Sequence, residues 1–181
     1  MNAPESVART SAAAWPDQVF AVLKQAAIRQ VGYVPDAGHA RLIELCRADP
    51  AIRDVVLTTE EEGIALAAGA WLGGERSVLL MQSSGVGNCV NMLSLTKNCR
   101  FPLVILVTMR GEWAEFNPWQ VPMGSATPPV LAAAGVHVRR ADHADDVAAM
   151  VAASAALAFD SAVPVAVLLS QRLVGAKVFT K

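Results

Sequence analysis

Charge is scarce in this chain. Acidic and basic residues make up 17% of the 181 positions and nearly cancel, leaving a formal net charge of -1. Such a balance offers no electrostatic field for a nucleic-acid backbone, and no basic cluster with interleaved aromatics compensates for it. Long apolar runs are missing as well. Stretches such as Leu103 to Val107 and Val163 to Leu169 fall short of the roughly 20 residues a bilayer span requires, so no membrane-spanning helix is expected. Cysteine is sparse and odd in number: Cys46, Cys89 and Cys99 lack the paired short spacing of a zinc site, and reduced thiols in a cytoplasmic protein fit them best. No metal site is expected in this chain. The nucleotide signatures are absent too, with neither a phosphate loop ending in Lys-Ser/Thr nor a Gly-x-Gly-x-x-Gly turn. No Gly-x-Ser-x-Gly elbow surrounds Ser83 or Ser84, which argues against acyl transfer. The first fourteen residues are small and polar without an apolar centre, and read as a loose tail rather than a secretory signal.

What the chain has in abundance is apolar side chain, at 54% of residues. Its length suits one domain, from residue 15 to residue 181, so this surplus implies either an unusually complete core or surface hidden against other subunits; the second is favoured. Helical stretches alternate with short β-branched runs, the pattern of a parallel sheet flanked by helices. The periodicity predicts an opening helix from Asp17 to Gln30 and a strand at Gly32 to Pro35. A helix from Arg41 to Ala48 and a strand from Val55 to Thr58 follow. Next come a helix after Glu60, a strand from Ser77 to Gln82, a helix from Gly87 to Leu95 and a strand from Pro102 to Thr108. The remainder reads as a helix near Pro129 to Ala134, a strand at Val136 to Val138, a helix from Asp145 to Phe159 and a final strand from Val163 to Leu169. The fold class is therefore α/β, an open, mostly parallel six-stranded sheet with helices on both faces. Ligands of such sheets bind beyond the carboxyl ends of the strands, where Glu60, Ser84, Gly85 and Arg110 all fall.

Two segments there carry chemistry. Thr58-Thr59-Glu60-Glu61-Glu62-Gly63-Ile64 begins acidic at the end of a strand and becomes small and apolar through Ala70. Acids in a first helical turn complement the helix dipole, which explains three of them without any function. The helix they open is apolar on every side, however, as suits a helix packed inside a protein, and a carboxylate at its start would be partly buried. The second segment, Ser83-Ser84-Gly85-Val86-Gly87-Asn88, opens a helix with free backbone N–H groups; it serves equally as an anion cradle, a close-packing surface for a ring, or a tight turn capped by serines.

Glu60 followed nine positions later by Gly69, and then Val78-Leu79-Leu80-Met81-Gln82-Ser83-Ser84-Gly85-Val86-Gly87-Asn88, resemble the pyrimidine-binding domain of thiamine diphosphate enzymes. Gln120-Val121-Pro122-Met123-Gly124-Ser125-Ala126-Thr127-Pro128 narrows the resemblance to the α subunits of sulfopyruvate decarboxylases and the related phosphonopyruvate decarboxylases. It extends from about Gly32 to Leu169. The resemblance implies that Glu60 activates the cofactor aminopyrimidine by sharing a proton with its N1′, since a carboxylic acid in apolar surroundings can do so near neutral pH. Glu61 and Glu62 are then solvent-facing or structural. It further implies that Ser84, Gly85 and Asn88 line the cofactor and substrate pocket, and that His39 lies in a substrate-facing loop. Arg110 is either the partner of a substrate anion or a surface arginine at a strand end. His137 and His143 read as surface or capping residues.

The loop Glu112-Trp113-Ala114-Glu115-Phe116-Asn117-Pro118-Trp119 is aromatic and acidic, which suits an apolar substrate, a lid or a subunit contact better than a small dianion. The Gly-Asp-Gly that holds Mg2+ and the cofactor diphosphate in the family occurs nowhere in the chain. The resemblance therefore implies a two-chain arrangement: a β subunit carries the diphosphate-binding domain and the Mg2+, thiamine diphosphate lies between the chains, and this chain is inactive alone. The assembly expected is α2β2 or a homodimer, acting on a small 2-oxo acid. A non-catalytic structural or regulatory subunit of the same fold, or a stand-alone flavodoxin-like module, are the alternatives.

Overall fold

Two apolar runs, Leu103–Thr108 and Pro164–Leu169, lie side by side inside one sheet and are buried along their whole length. The computed structural model describes residues 14–175. The expected loose tail therefore lies, apart from Ala14, outside the described residues. The six strands are β1 Ile28–Tyr33, β2 Arg53–Val56, β3 Arg76–Gln82, β4 Leu103–Thr108, β5 His137–Ala141 and β6 Pro164–Leu169, in the order β2-β1-β3-β4-β6-β5. Every neighbouring pair is parallel. The helices are α1 Trp15–Gln25, α2 Ala40–Ala48, α3 Glu60–Leu72, α4 Ser83–Cys89, α5 Ser94–Cys99, α6 Val121–Ala133, α7 Ala144–Ser161 and the short α8 Gln171–Val174.

Alternation along the strands divides the core into two layers. Val78, Leu80, Val104, Leu106, Val165 and Val167 face one side and pack under α1, α2 and α7. Leu79, Met81, Ile105, Val107, Ala166 and Leu168 face the other and pack under α3, α4 and α6. The outer strands β2 and β5 are largely exposed, as befits sheet edges.

Several boundaries differ from the sequence expectation. The opening helix stops at Gln25 rather than Gln30, because Ala27 turns the chain in a left-handed conformation and Ile28 to Tyr33 is drawn into pairing with β2 and β3. The third strand runs without a loop into α4, whose first residue is Ser83, and this helix ends at Cys89 instead of continuing from Gly87 to Leu95. The helix near Pro129 begins eight residues earlier, at Val121, and carries Pro128 and Pro129 inside it, with Thr127 returning its hydroxyl to the Met123 carbonyl at 2.7 Å.

The largest correction concerns α3. It is not enclosed within this chain: Gly63, Ile64, Ala67 and Ala70 face the sheet, while Ala65, Gly69 and Leu72 are exposed, Leu72 at 88%. A Cβ on Gly63 would meet Leu79 Cδ1 at 2.3 Å, so its absence is what lets the helix lie close on β3. Apolar character on every side of α3 thus marks a helix whose second face is left open by its own chain. Among the described residues no helix is long and apolar enough to cross a membrane.

Candidate functional site

Strand order reverses between β1 and β3, and the carboxyl ends of these strands and of β4 supply the polar residues gathered at this crevice. Glu60 is the first residue of α3 and is 8% exposed. Its Oε2 accepts a hydrogen bond from Asn88 Nδ2 at 2.8 Å, across from α4. Gly85, one turn earlier on α4, lies against the same carboxyl group, and a Cβ there would meet Glu60 Cδ and Oε1 at 2.4 Å. The structure therefore brings Glu60, Gly85 and Asn88 into one contact. Ser84 stands beside them, exposed, with its Oγ 2.9 Å from Gln82 Oε1. Glu61 and Glu62 are exposed, and Glu62 accepts the Thr58 backbone N–H at 2.9 Å.

His39 departs from its expected place. It is 1% exposed, its Nε2 donates to the Leu106 carbonyl at 3.1 Å, and burial pushes its pKa below the ordinary value. It does not face an opening of this chain. Arg110 is likewise neither a free anion partner nor a surface arginine. The residue is 8% exposed, and its guanidinium grips Glu115 through Nε at 2.7 Å and Nη2 at 2.5 Å. This grip raises the Arg110 pKa and holds the Glu115 carboxyl down at about 2, with the backbone N–H groups of Gly111 and Asn117 and the Gln171 amide assisting. Gln171 also accepts the N–H groups of Glu112 and Trp113 through Oε1, at 2.9 and 3.0 Å. The aromatic loop is thereby stitched to the start of α8, with Trp113, Phe116 and Trp119 exposed. His137 is exposed, and His143 precedes α7 without a side-chain cap bond.

Sequence reasoning passed over Asp36. Its carboxylate accepts Thr108 Oγ1 at 2.6 Å and Gly38 N at 3.1 Å on Oδ2, and Gln82 Nε2 at 3.1 Å on Oδ1. It joins the ends of β1, β3 and β4 at the point where strand order reverses. The signal was an Asp directly after Pro35 at the exit of the first strand, the residue type that caps a following turn. Among the described residues no group of three or more His, Cys, Asp or Glu side chains could hold a metal ion. Cys46 and Cys89 are free and buried, and burial pushes both thiols up to about 12.

Residues 15–115 match the family model of the thiamine pyrophosphate enzyme N-terminal TPP-binding domain. The chain belongs to this family. Among its relatives is the α subunit of sulfopyruvate decarboxylase from Methanothermobacter thermautotrophicus, 43% identical over 116 residues that cover 64% of this chain and 70% of that protein. The corresponding α subunit from Methanococcus maripaludis is 31% identical over 154 residues, 84% of this chain and 92% of its own length. A solved 2-oxoglutarate:ferredoxin oxidoreductase from Magnetococcus marinus superimposes with a TM-score of 0.70 over 89% of this chain; at 16% identity it bears on the fold alone, and this chain spans 29% of that one. The family match includes β1 to β4 with Glu60, Asn88, Asp36 and Gln82, and ends at Glu115, the residue that clamps Arg110.

Proposed function

We propose that this chain is the α subunit of a two-component thiamine diphosphate-dependent decarboxylase acting on a small 2-oxo acid of the sulfopyruvate or phosphonopyruvate type. The observation that supports it most is the Glu60–Asn88–Gly85 contact at the carboxyl end of the sheet, in a chain that belongs to a TPP-binding family. The residues fit the aminopyrimidine of the cofactor. Glu60 is largely buried, one of its oxygens is held by Asn88, and the other lies against a position kept clear by the missing Cβ of Gly85. When bound, thiamine diphosphate supplies the carbanion chemistry that removes carbon dioxide from a 2-oxo acid.

This chain's share of the work is orientation and proton placement. Glu60 would hold a proton against the ring nitrogen of the aminopyrimidine, and Asn88 fixes the carboxyl group in one rotamer by donating to it. Ser84 and Gly85, beside Glu60, would line the pocket for cofactor and substrate. Packing of α3 against α4 leaves the Glu60 carboxyl largely out of solvent. A β subunit supplies the diphosphate and Mg2+ sites and covers the exposed side of the crevice, and the assembly is an α2β2 or larger even oligomer in the cytoplasm.

The test is turnover of sulfopyruvate, phosphonopyruvate, pyruvate and benzoylformate by the chain co-expressed with its β subunit, with thiamine diphosphate and Mg2+. Glu60→Gln should lower kcat by about 10²–10⁴-fold, the range for loss of a general acid–base group. A complex that binds the cofactor and decarboxylates none of these acids would leave a non-catalytic subunit as the better reading.

A further inference from the structure

A hydrogen-bonded chain of four side chains crosses the carboxyl ends of β4, β1 and β3, and the donor sense of each link is determined by its neighbour. As a carboxylate, Asp36 can only accept. The Gln82 atom 3.1 Å from its Oδ1 is therefore the amide nitrogen, as Thr108 Oγ1 and Gly38 N are the donors on Oδ2. With its nitrogen on Asp36, Gln82 turns its Oε1 toward Ser84, 2.9 Å away. An amide oxygen only accepts, so the single hydroxyl proton of Ser84 is spent on Gln82.

We propose that Asp36, acting through Gln82, sets the Ser84 hydroxyl as a hydrogen-bond acceptor, so that it receives an N–H or O–H of the bound cofactor or substrate and does not bind the substrate's anionic group. This rests on the proposed decarboxylase function and specifies how the crevice divides its ligand. Ser84 is exposed in the first turn of α4 and presents lone pairs there. Asp36 and Glu60 add carboxyl groups at the same, carboxyl end of the sheet, and the Arg110 guanidinium is committed to Glu115. What this chain offers is rich in acceptors. The amino, imino or hydroxyl edge of the ligand belongs against it, and the carboxylate, sulfonate or phosphonate belongs against the partner subunit. Asp36 and Gln82 are positioning residues; Ser84 makes the contact.

A charge swap tests this directly. Asp36→Asn lets the Gln82 amide turn over and point its nitrogen at Ser84, and Gln82→Glu sets two carboxylates face to face. The double variant Asp36→Asn with Gln82→Glu restores the original sense: the amide now at position 36 donates to the carboxylate now at position 82, which keeps an oxygen to accept from Ser84. In thermal melts of the full chain, which need no ligand, each single change should lower the melting temperature by about 2–4 °C and the double variant should recover it. In the αβ complex, Asp36→Asn and Ser84→Ala should each lower kcat/KM by about tenfold. Asp36→Asn should have no further effect once Ser84 is alanine. A double variant as unstable as the singles, or an Asp36→Asn loss of equal size with and without the Ser84 hydroxyl, overturns the proposal. Failure of the decarboxylase reading is seen separately, as an unmodified complex that decarboxylates none of the 2-oxo acids; the melts then still decide the sense of the chain.

Discussion

Gly85 occupies a position where one added methyl group would displace the Glu60 carboxyl. A Cβ there falls 2.4 Å from the Glu60 carboxyl, whereas one on Gly87, two residues on, would meet only Met123, its Sδ at 3.6 Å, an ordinary contact. Gly85→Ala is expected to reduce turnover by about 10²-fold, the cost of a misplaced catalytic group, while Gly87→Ala leaves it near the starting value. Equal losses in the two variants, measured as kcat in the assembled complex, would argue against the placement of Glu60 between α3 and α4. The glycine's role was visible in the sequence only as part of a motif. Its physical reason, a close approach between two helix starts, became visible when α4 was found to begin at Ser83.

Among the elements, the loop from Gly111 to Gln120 is the one whose order depends on electrostatics. Glu115 is the anchor: its folded pKa of about 2 stands below the ordinary 4.5 because Arg110 and three further donors hold the charged form. A depressed carboxyl pKa contributes stability that is fully present above the unfolded value and is lost as pH falls through the folded one. The window is therefore about pH 4.5 down to 2. At pH 7 Glu115→Gln should cost on the order of 3 kcal/mol, the paired charge lost and the buried Arg110 left without its counter-ion. Urea unfolding of wild type and variant should show this gap narrowing as the pH is lowered from about 5 to about 2.5; a gap independent of pH would remove Glu115 as the anchor. The sequence offered the loop as a lid, an interface or a substrate wall. The pairing that orders it joins residues five apart with Gln171 from beyond β6, and no local pattern predicts that.

At the scale of the molecule, the surplus of apolar residues is explained by what α3 leaves uncovered. Gly69, a member of the family-like pattern, is exposed, and a Cβ there would meet nothing within 4 Å. Its own chain gives it no reason to be glycine; a second surface approaching α3 would. Ala65 and Leu72 are exposed on the same helix. The chain purified without its partner is expected to self-associate at micromolar concentration, and Ala65→Arg to shift it toward monomer. Light scattering that finds the unmodified chain strictly monomeric would show this face to be stable in water.

The sequence by itself determined the class of fold, and it offered Glu60, Gly85 and Asn88 as candidates beyond the carboxyl ends of the strands. These follow from periodicity, from strand-to-helix punctuation and from short motifs, all local properties of the chain. Only the tertiary structure decided that His39 is buried, that Arg110 is spent on Glu115, and that Gln82 bridges Asp36 and Ser84. Outcomes of this kind depend on which donors and acceptors far apart in the chain meet at hydrogen-bonding distance, as Asp36 does with Thr108 across 72 residues and Ser83 with Arg110 across 27. A side chain's available charge is what remains after such neighbours are satisfied, and that remainder is a property of the fold.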